Sequence, residues 1–281
     1  MSSQRGSFTT RSMITAIVSK KGGVGKTTTA VSLAAALAAQ GKRVLLVDLD
    51  SQASTSLSLG VPRSALAPSS ADILLSSLPI AEAIRATPVA GLFLVTASAD
   101  LVSLDQDLGP LPRKEERLRW ALAPVVDQFD FIFLDCPPTL SLAPLNALVA
   151  SDSFIVPVVP HYLALEGVRN LLHAVNRLYQ RFGTRTHLLG LILTMVDYRT
   201  KLSRENVLRI RELFGRNVFG IEIRINVRLA EAPAEGRTIF DYDPSSAGAV
   251  AYRLLADEFL LRAANAPITG LERPPLAAVG S

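Results

Sequence analysis

Apolar residues along this chain fall into two alternating patterns. Short unbroken apolar runs recur as MITAIVS (13–19), RVLLVDLD (43–50), LFLVTAS, FDFIFLDCPP, DSFIVPVVP and HLLGLILTMVD. Runs without polar alternation suit parallel strands buried on both faces. Between them lie stretches with helical spacing, from about Thr27 to Gln40 and near 114–127, 164–182 and 203–214. The first is closed by Gly41 at a C-cap position. This alternation predicts an α/β fold, a mostly parallel twisted sheet flanked by helices and joined by right-handed crossovers.

From 60 to 112 the chain is richer in Ser, Pro and Ala, which predicts shorter helices and loops. A last helix is expected from about Ser246 to Ala263, with Val250, Leu254, Leu255, Phe259 and Leu260 as its apolar positions. Residues 1–12 are polar, and 264–281 are rich in Pro and Gly, so both ends are expected to be flexible. No internal repeat, heptad series or linker divides the rest, which reads as one domain over 13–263.

Composition narrows the class. The chain has 281 residues, 49% hydrophobic and 19% charged, enough to bury a substantial core. Apolar runs such as AVSLAAALAA fall short of the ~18 residues of a membrane span. MITAIVS carries no small-residue cleavage site, so a secretory leader is not expected. Cys136 is the single cysteine, which excludes an internal disulfide and fits a cytoplasmic chain; it is expected as a small buried hydrophobe. The three histidines, His161, His173 and His187, lack ligand spacing, so no metal site is expected on them. The net charge of +4 permits an acidic partner such as DNA but does not establish one.

The chemistry sits in SKKGGVGKTTTAVSLAAALA, residues 19–38. The common phosphate loop reads G-x-x-x-x-G-K-[ST], and its end falls on Gly25, Lys26 and Thr27. Its first glycine belongs at residue 20, where this chain has lysine, followed by Lys21, Gly22 and Gly23. A strand, a glycine-rich turn and a helix N-terminus aim backbone N–H groups of Gly22, Gly23, Val24, Gly25 and the first helical residues, Thr28 included, at phosphate oxygens. Lys26 is expected to reach the β- and γ-phosphates, and the Thr27 hydroxyl to coordinate Mg²⁺. Asp135 ends the run FDFIFLD, where a carboxylate holds Mg²⁺, usually through water. Asp48 and Asp50 end VLLVDLD at the edge where open α/β sheets bind ligands, and one of them is expected to orient or deprotonate the attacking water.

KGGVGKTTT, VLLVDLDSQ, FIFLDCPP, YLALEGVRNLL and NVRLAEAPAEGRTIFDYDPSSAGAVAY together resemble the ParA/Soj partitioning ATPases, from about residue 13 to 262. These belong to the deviant-Walker-A class of P-loop NTPases that also contains MinD. The resemblance implies ATP and Mg²⁺ as cofactors and a homodimer formed on ATP. It makes Lys21 the signature lysine, reaching across the dimer to the other subunit's phosphates, as an arginine finger does elsewhere. It makes Asp50 the hydrolysis residue and Asn226 the contact to adenine. The usual I-P-R-N before that position is here Ile223-Arg224-Ile225-Asn226, a departure. Lys20 matches no role and is expected at the surface.

The resemblance also implies nonspecific binding of double-stranded DNA through Arg199 and Arg228, nucleoid association, and stimulation of a slow ATPase by a ParB-like or other activator. Lys201, Arg204, Arg209, Arg211, Arg216 and Arg224 extend the basic stripe that phosphate backbones require. No helix-turn-helix is expected before residue 13, which argues against operator recognition. A MinD-like membrane switch needs a terminal amphipathic helix, and Pro267, Pro274 and Pro275 break one, so no membrane partner is expected. A reductase with a bridging iron–sulfur cluster needs two cysteines per chain. An amide-forming ligase on the same scaffold stays open, as does the cargo: chromosome, plasmid or another positioned complex.

Overall fold

Each apolar run of the sequence becomes one strand of a seven-stranded sheet. The strands are β1 (Met13–Ile17), β2 (Val44–Asp48), β3 (Arg85–Ala86), β4 (Leu92–Val95), β5 (Phe131–Asp135), β6 (Ser153–Val158) and β7 (His187–Leu193). Their order is β3-β4-β2-β5-β1-β6-β7, and every pairing is parallel except β3 with β4. The computed structural model describes residues 12–161, 164–183 and 186–266. The two tails expected to be flexible lie, from 1 to 11 and from 267 to 281, outside these described residues.

Side-chain alternation divides the sheet between two cores. On β2, Leu45 and Val47 face one side while Val44 and Leu46 face the other, all without solvent exposure. Burial on both faces explains why these strands read as unbroken apolar runs. The first face is covered by helices Leu142–Ala150, Ala164–Phe182 and Lys201–Phe214. The second is covered by helices Lys26–Ala39 and Ala247–Ala264, which pack on each other. The alanines of AVSLAAALAA are buried almost all round, because small side chains let that last helix approach closely. Thr29 and Tyr252 hydrogen-bond across this contact at 3.1 Å.

Three expectations are corrected. Instead of one helix over 114–127 there is a short α-helix, Arg117–Leu122, between single 3-10 turns at Lys114–Glu116 and Val126–Gln128. Pro124 has no N–H to continue the helix, which ends at Leu122. The runs at 13–19 and 43–50 stop as strands at Ile17 and Asp48, because their last residues already turn into the ligand-binding edge. The edge strand β3 went unread, being two residues long and carrying no periodicity. Helix Ala164–Phe182 has the expected bounds, and the region 60–112 holds short helices as expected.

β1 lies between β5 and β6, with the connection after it leading to one side and β6 on the other. The loop after β1 therefore opens at a topological switch point, where α/β sheets bind ligands.

Candidate nucleotide site

The loop after β1 takes a conformation open mainly to glycine. Gly23 and Gly25 have φ of +69° and +81°, in the left-handed region, and an added Cβ at Gly23 would meet nothing within 4 Å. Backbone conformation, not crowding, thus requires glycine at 23. The helix begins at Lys26, and its early N–H groups have no preceding helical carbonyls to bond. Val24 is buried, and its carbonyl accepts a 2.9 Å hydrogen bond from Thr194 Oγ1 at the end of β7. That bond ties the loop to the far side of the sheet.

Lys26 is buried at 7% exposure, and its Nζ donates to the Lys21 carbonyl at 3.3 Å. Burial lowers its pKa, while the charge of Asp135 opposes that shift. Such an ammonium has few partners to satisfy it until an anion arrives. Lys20 and Lys21 are exposed, and the Lys21 ammonium meets His161 Nε2 at the surface.

Asp135 is the centre of the site. Its Oδ2 accepts hydrogen bonds from Thr27 Oγ1 at 2.8 Å and Thr55 Oγ1 at 2.6 Å. Its Oδ1 is buried with no hydrogen-bond partner. Burial pushes its pKa up to about 6, against the pull of Thr55, Thr27 and Lys26. A buried, unpartnered carboxylate oxygen beside a hydroxyl is the oxygen donor set of a hard cation such as Mg²⁺. The residues present therefore fit that ion.

The two aspartates of VDLD separate into different tasks. Asp48 is fully buried, and its Oδ2 accepts from Ser56 N at 2.9 Å and Ser56 Oγ at 2.7 Å. Its Oδ1 accepts from Asp50 N at 3.1 Å. Burial, with the nearby charge of Asp135, pushes its pKa up to about 7. Asp48 thus braces the turn after β2 from inside. Asp50 is only half-buried, and its Oδ1 receives one bond, from Gln52 N at 3.0 Å. Its second oxygen has no hydrogen bond among the described residues, which favours Asp50 over Asp48 as the group able to meet a ligand.

Thr55 was missed from the sequence because its partner lies 80 residues away. The only local signal was a hydroxyl run, STS, following the aspartates. Cys136, at 1% exposure, is a small buried side chain whose thiol burial pushes well up.

Residues 221–228 join the site through β7. Val196 N donates to Ile223 O at 3.1 Å, and Ile225 N donates to Val196 O at 3.3 Å. Asn226 Oδ1 accepts from Arg228 N at 2.9 Å, which starts the short helix Arg228–Glu231. Its side chain is therefore engaged with its own backbone here. Beyond it, Leu229 and Pro233 line a narrow cleft with Thr28 of the phosphate-loop helix.

Arg199 and Arg228 are exposed but engaged. Arg199 Nε and Nη2 each lie 2.8 Å from Asp197 oxygens, and Arg228 Nη1 lies 2.8 Å from Glu231. The expected basic stripe is thinner than the sequence suggests. Arg211 is held by Glu222 and by the carbonyls of Phe219 and Gly220, while Lys201 lies 3.6 Å from Glu205. Among the described residues no helix is long and apolar enough to cross a membrane, and no group of three or more His, Cys, Asp and Glu side chains could hold a metal.

The sequence pattern of the AAA domain family matches residues 12–188. The chain is 42% identical to the sporulation initiation inhibitor protein Soj of Bacillus subtilis, over 87% of this chain and 97% of that protein. It is 38% identical to the chromosome partitioning protein ParA of Caulobacter vibrioides, over 89% of this chain and 94% of that one. Among solved structures, a cobyrinic acid a,c-diamide synthase from Mycobacterium smegmatis with bound ADP and magnesium superposes with a TM-score of 0.78. That protein is 34% identical, and the match covers 91% of this chain and 96% of that one.

Proposed function

The chain belongs to the Soj/ParA family of partitioning P-loop ATPases, and from that premise we propose an ATP-gated switch built on a homodimer. The pairing of Thr27 with Asp135, whose second oxygen is buried without a partner beside the phosphate loop, carries this reading. The loop N–H groups of Gly22, Gly23, Val24, Gly25 and Thr28 cradle the ATP phosphates, and buried Lys26 supplies the cation for the β- and γ-phosphates. Thr27 and Asp135 hold Mg²⁺, which when bound neutralises phosphate charge. Asp50, the less buried aspartate with an oxygen to spare, orients water for attack on the γ-phosphate. Asn226 turns from its own backbone toward the base.

Lys21 stands exposed at the mouth of the loop, where its ammonium meets only the surface imidazole of His161 and can leave it to reach a second copy. A face-to-face dimer brings two triphosphates together, and a cation from each partner offsets the concentrated negative charge. ATP then joins the subunits and hydrolysis separates them. The ATP dimer presents Arg199 and Arg228 to the phosphates of double-stranded DNA without reading bases. A ParB-like or other activating protein stimulates a slow hydrolysis, in a cytoplasmic, nucleoid-associated cycle that positions DNA or another cargo. The relatives named for partitioning match this chain over nearly their full length, which favours this reading over that of an amide-forming enzyme on the same scaffold.

Sedimentation with and without ATP tests the proposal. Lys21→Ala is expected to bind ATP yet stay monomeric, and Lys26→Ala to lose nucleotide binding. An ATP-dependent dimer of wild-type strength in Lys21→Ala would overturn the role in trans.

A further inference from the structure

Both arginines assigned to DNA already hold an anion. Arg199 makes two 2.8 Å bonds to Asp197, and Arg228 lies 2.8 Å from Glu231 and 3.5 Å from Asp243. A duplex phosphate must displace or share those carboxylates, and the paired charges nearly cancel at a distance. Arg224 differs. It is exposed, makes no ion pair among the described residues, and its guanidinium carbon lies 5.2 Å from the centre of the Tyr198 ring.

The platform beneath it is well fixed. Tyr198 donates its hydroxyl to Glu222 Oε2 at 2.6 Å, and Glu222 is itself held by Arg211 at 2.7 Å. Val196 and Arg224 are bridged as parallel-strand partners, so the backbones beneath ring and guanidinium are joined as well. Tyr198 directly precedes Arg199, so the ring that carries Arg224 is next in the chain to the first of the two arginines. The departure from I-P-R-N now has a physical consequence. Successive side chains of an extended chain point to opposite sides, so moving arginine from 225 to 224 changes the side it occupies. At 224 it stacks on Tyr198, and Ile225 takes the other place.

We propose that Arg224, stacked on Tyr198, is a third duplex-contacting arginine in this chain and contributes more to salt-sensitive affinity than Arg199 or Arg228. Stacking on an aromatic face leaves the edge N–H groups of a guanidinium free for a phosphate. The ring also limits the conformations the side chain loses on binding. Tyr198 acts as a positioning residue and touches no phosphate itself. The inference rests on the DNA-binding reading above.

The test measures ATP-dependent binding of the full chain to a duplex of arbitrary sequence across a salt series, with ATP-dependent dimerisation followed in parallel. Each lost phosphate contact lowers the slope of log affinity against log salt by about 0.9, so Arg224→Ala should lower it by about 1.8 per dimer. Affinity should fall roughly tenfold or more at about 0.1 M salt, with dimerisation unchanged. Arg224→Lys should keep the slope. Tyr198→Leu should weaken binding by about two- to fivefold with the slope little changed, and Tyr198→Phe, which keeps the ring but loses the bond to Glu222, should fall between Tyr198→Leu and the wild type. A wild-type slope in Arg224→Ala would overturn the assignment. Loss of ATP-dependent dimerisation in that variant would also overturn it, placing Arg224 at the subunit contact instead. No duplex binding by the wild-type ATP dimer would reject the DNA reading itself, and this inference with it.

Discussion

Asp48 and Asp135 are register partners on adjacent parallel strands, and each ends its strand fully buried. Burial pushes Asp48 to about 7 and Asp135 to about 6, from an ordinary value of 3.8, and Asp135's charge adds to the rise at Asp48. The folded chain therefore binds more protons than the unfolded chain between those values. Stability from these groups is complete below the ordinary value and is lost as pH rises through 6 to 7. Denaturation of the nucleotide-free and metal-free protein should show a loss on the order of 1–3 kcal/mol over that interval. Asp48→Asn, which cannot ionise, should flatten the profile. An equally steep fall in Asp48→Asn would assign the proton to another group.

Thr27 Oγ1 and Thr55 Oγ1 both donate to Asp135 Oδ2, while Oδ1 is buried without a hydrogen-bond partner. Asp135→Asn and Thr27→Ala should each weaken binding of Mg²⁺·ATP by roughly tenfold to a hundredfold. Binding of ATP in the presence of a chelator should change little. Titrating Mg²⁺ against a fluorescent ATP analogue reads the difference, and equal losses with and without Mg²⁺ would move the metal site elsewhere.

Asp50 is the less buried of the two aspartates after β2, and it braces less of the fold than Asp48 does. Asp50→Ala should keep ATP-dependent dimerisation and lose roughly a hundredfold or more of phosphate release. Asp48→Ala should instead lower stability, because Ser56 N and Oγ lose their buried acceptor. Phosphate release at the wild-type rate in Asp50→Ala would remove Asp50 from the chemistry.

Gly190 in β7 lies under the buried Phe219 ring. A Cβ there would stand 2.6 and 2.7 Å from two ring carbons and 3.0 Å from Arg262 Nη1. Phe219 is itself gripped by the Arg262 guanidinium at 4.1 Å and has no solvent exposure, so it cannot move aside freely. Gly190→Ala should cost about 1–3 kcal/mol. In urea this appears as a lower midpoint with the slope unchanged. An unchanged midpoint would show that the ring yields.

Sequence alone determined the strand–loop–helix around Lys26, because a glycine-rich turn between an apolar run and a helix is a local pattern with a local cause. It also determined the strand cores, since strands buried on both faces must be apolar throughout. It pointed to Asp135 through its place at the end of such a run. Tertiary structure decided what depends on partners far apart in the chain. Thr55 reaches Asp135 across 80 residues, and Thr194 reaches Val24 across 170, through folded proximity that no spacing encodes. Asp48 and Asp50 are alike in sequence. Only burial, with the donors that each carboxylate meets, makes one a brace and leaves the other open. The same holds for the arginines, which count equally toward net charge, while Asp197 and Glu231 occupy two of them and Tyr198 holds Arg224 out to solvent. Local pattern encodes the backbone and its apolar faces; the charge a side chain presents depends on which partners folding places beside it.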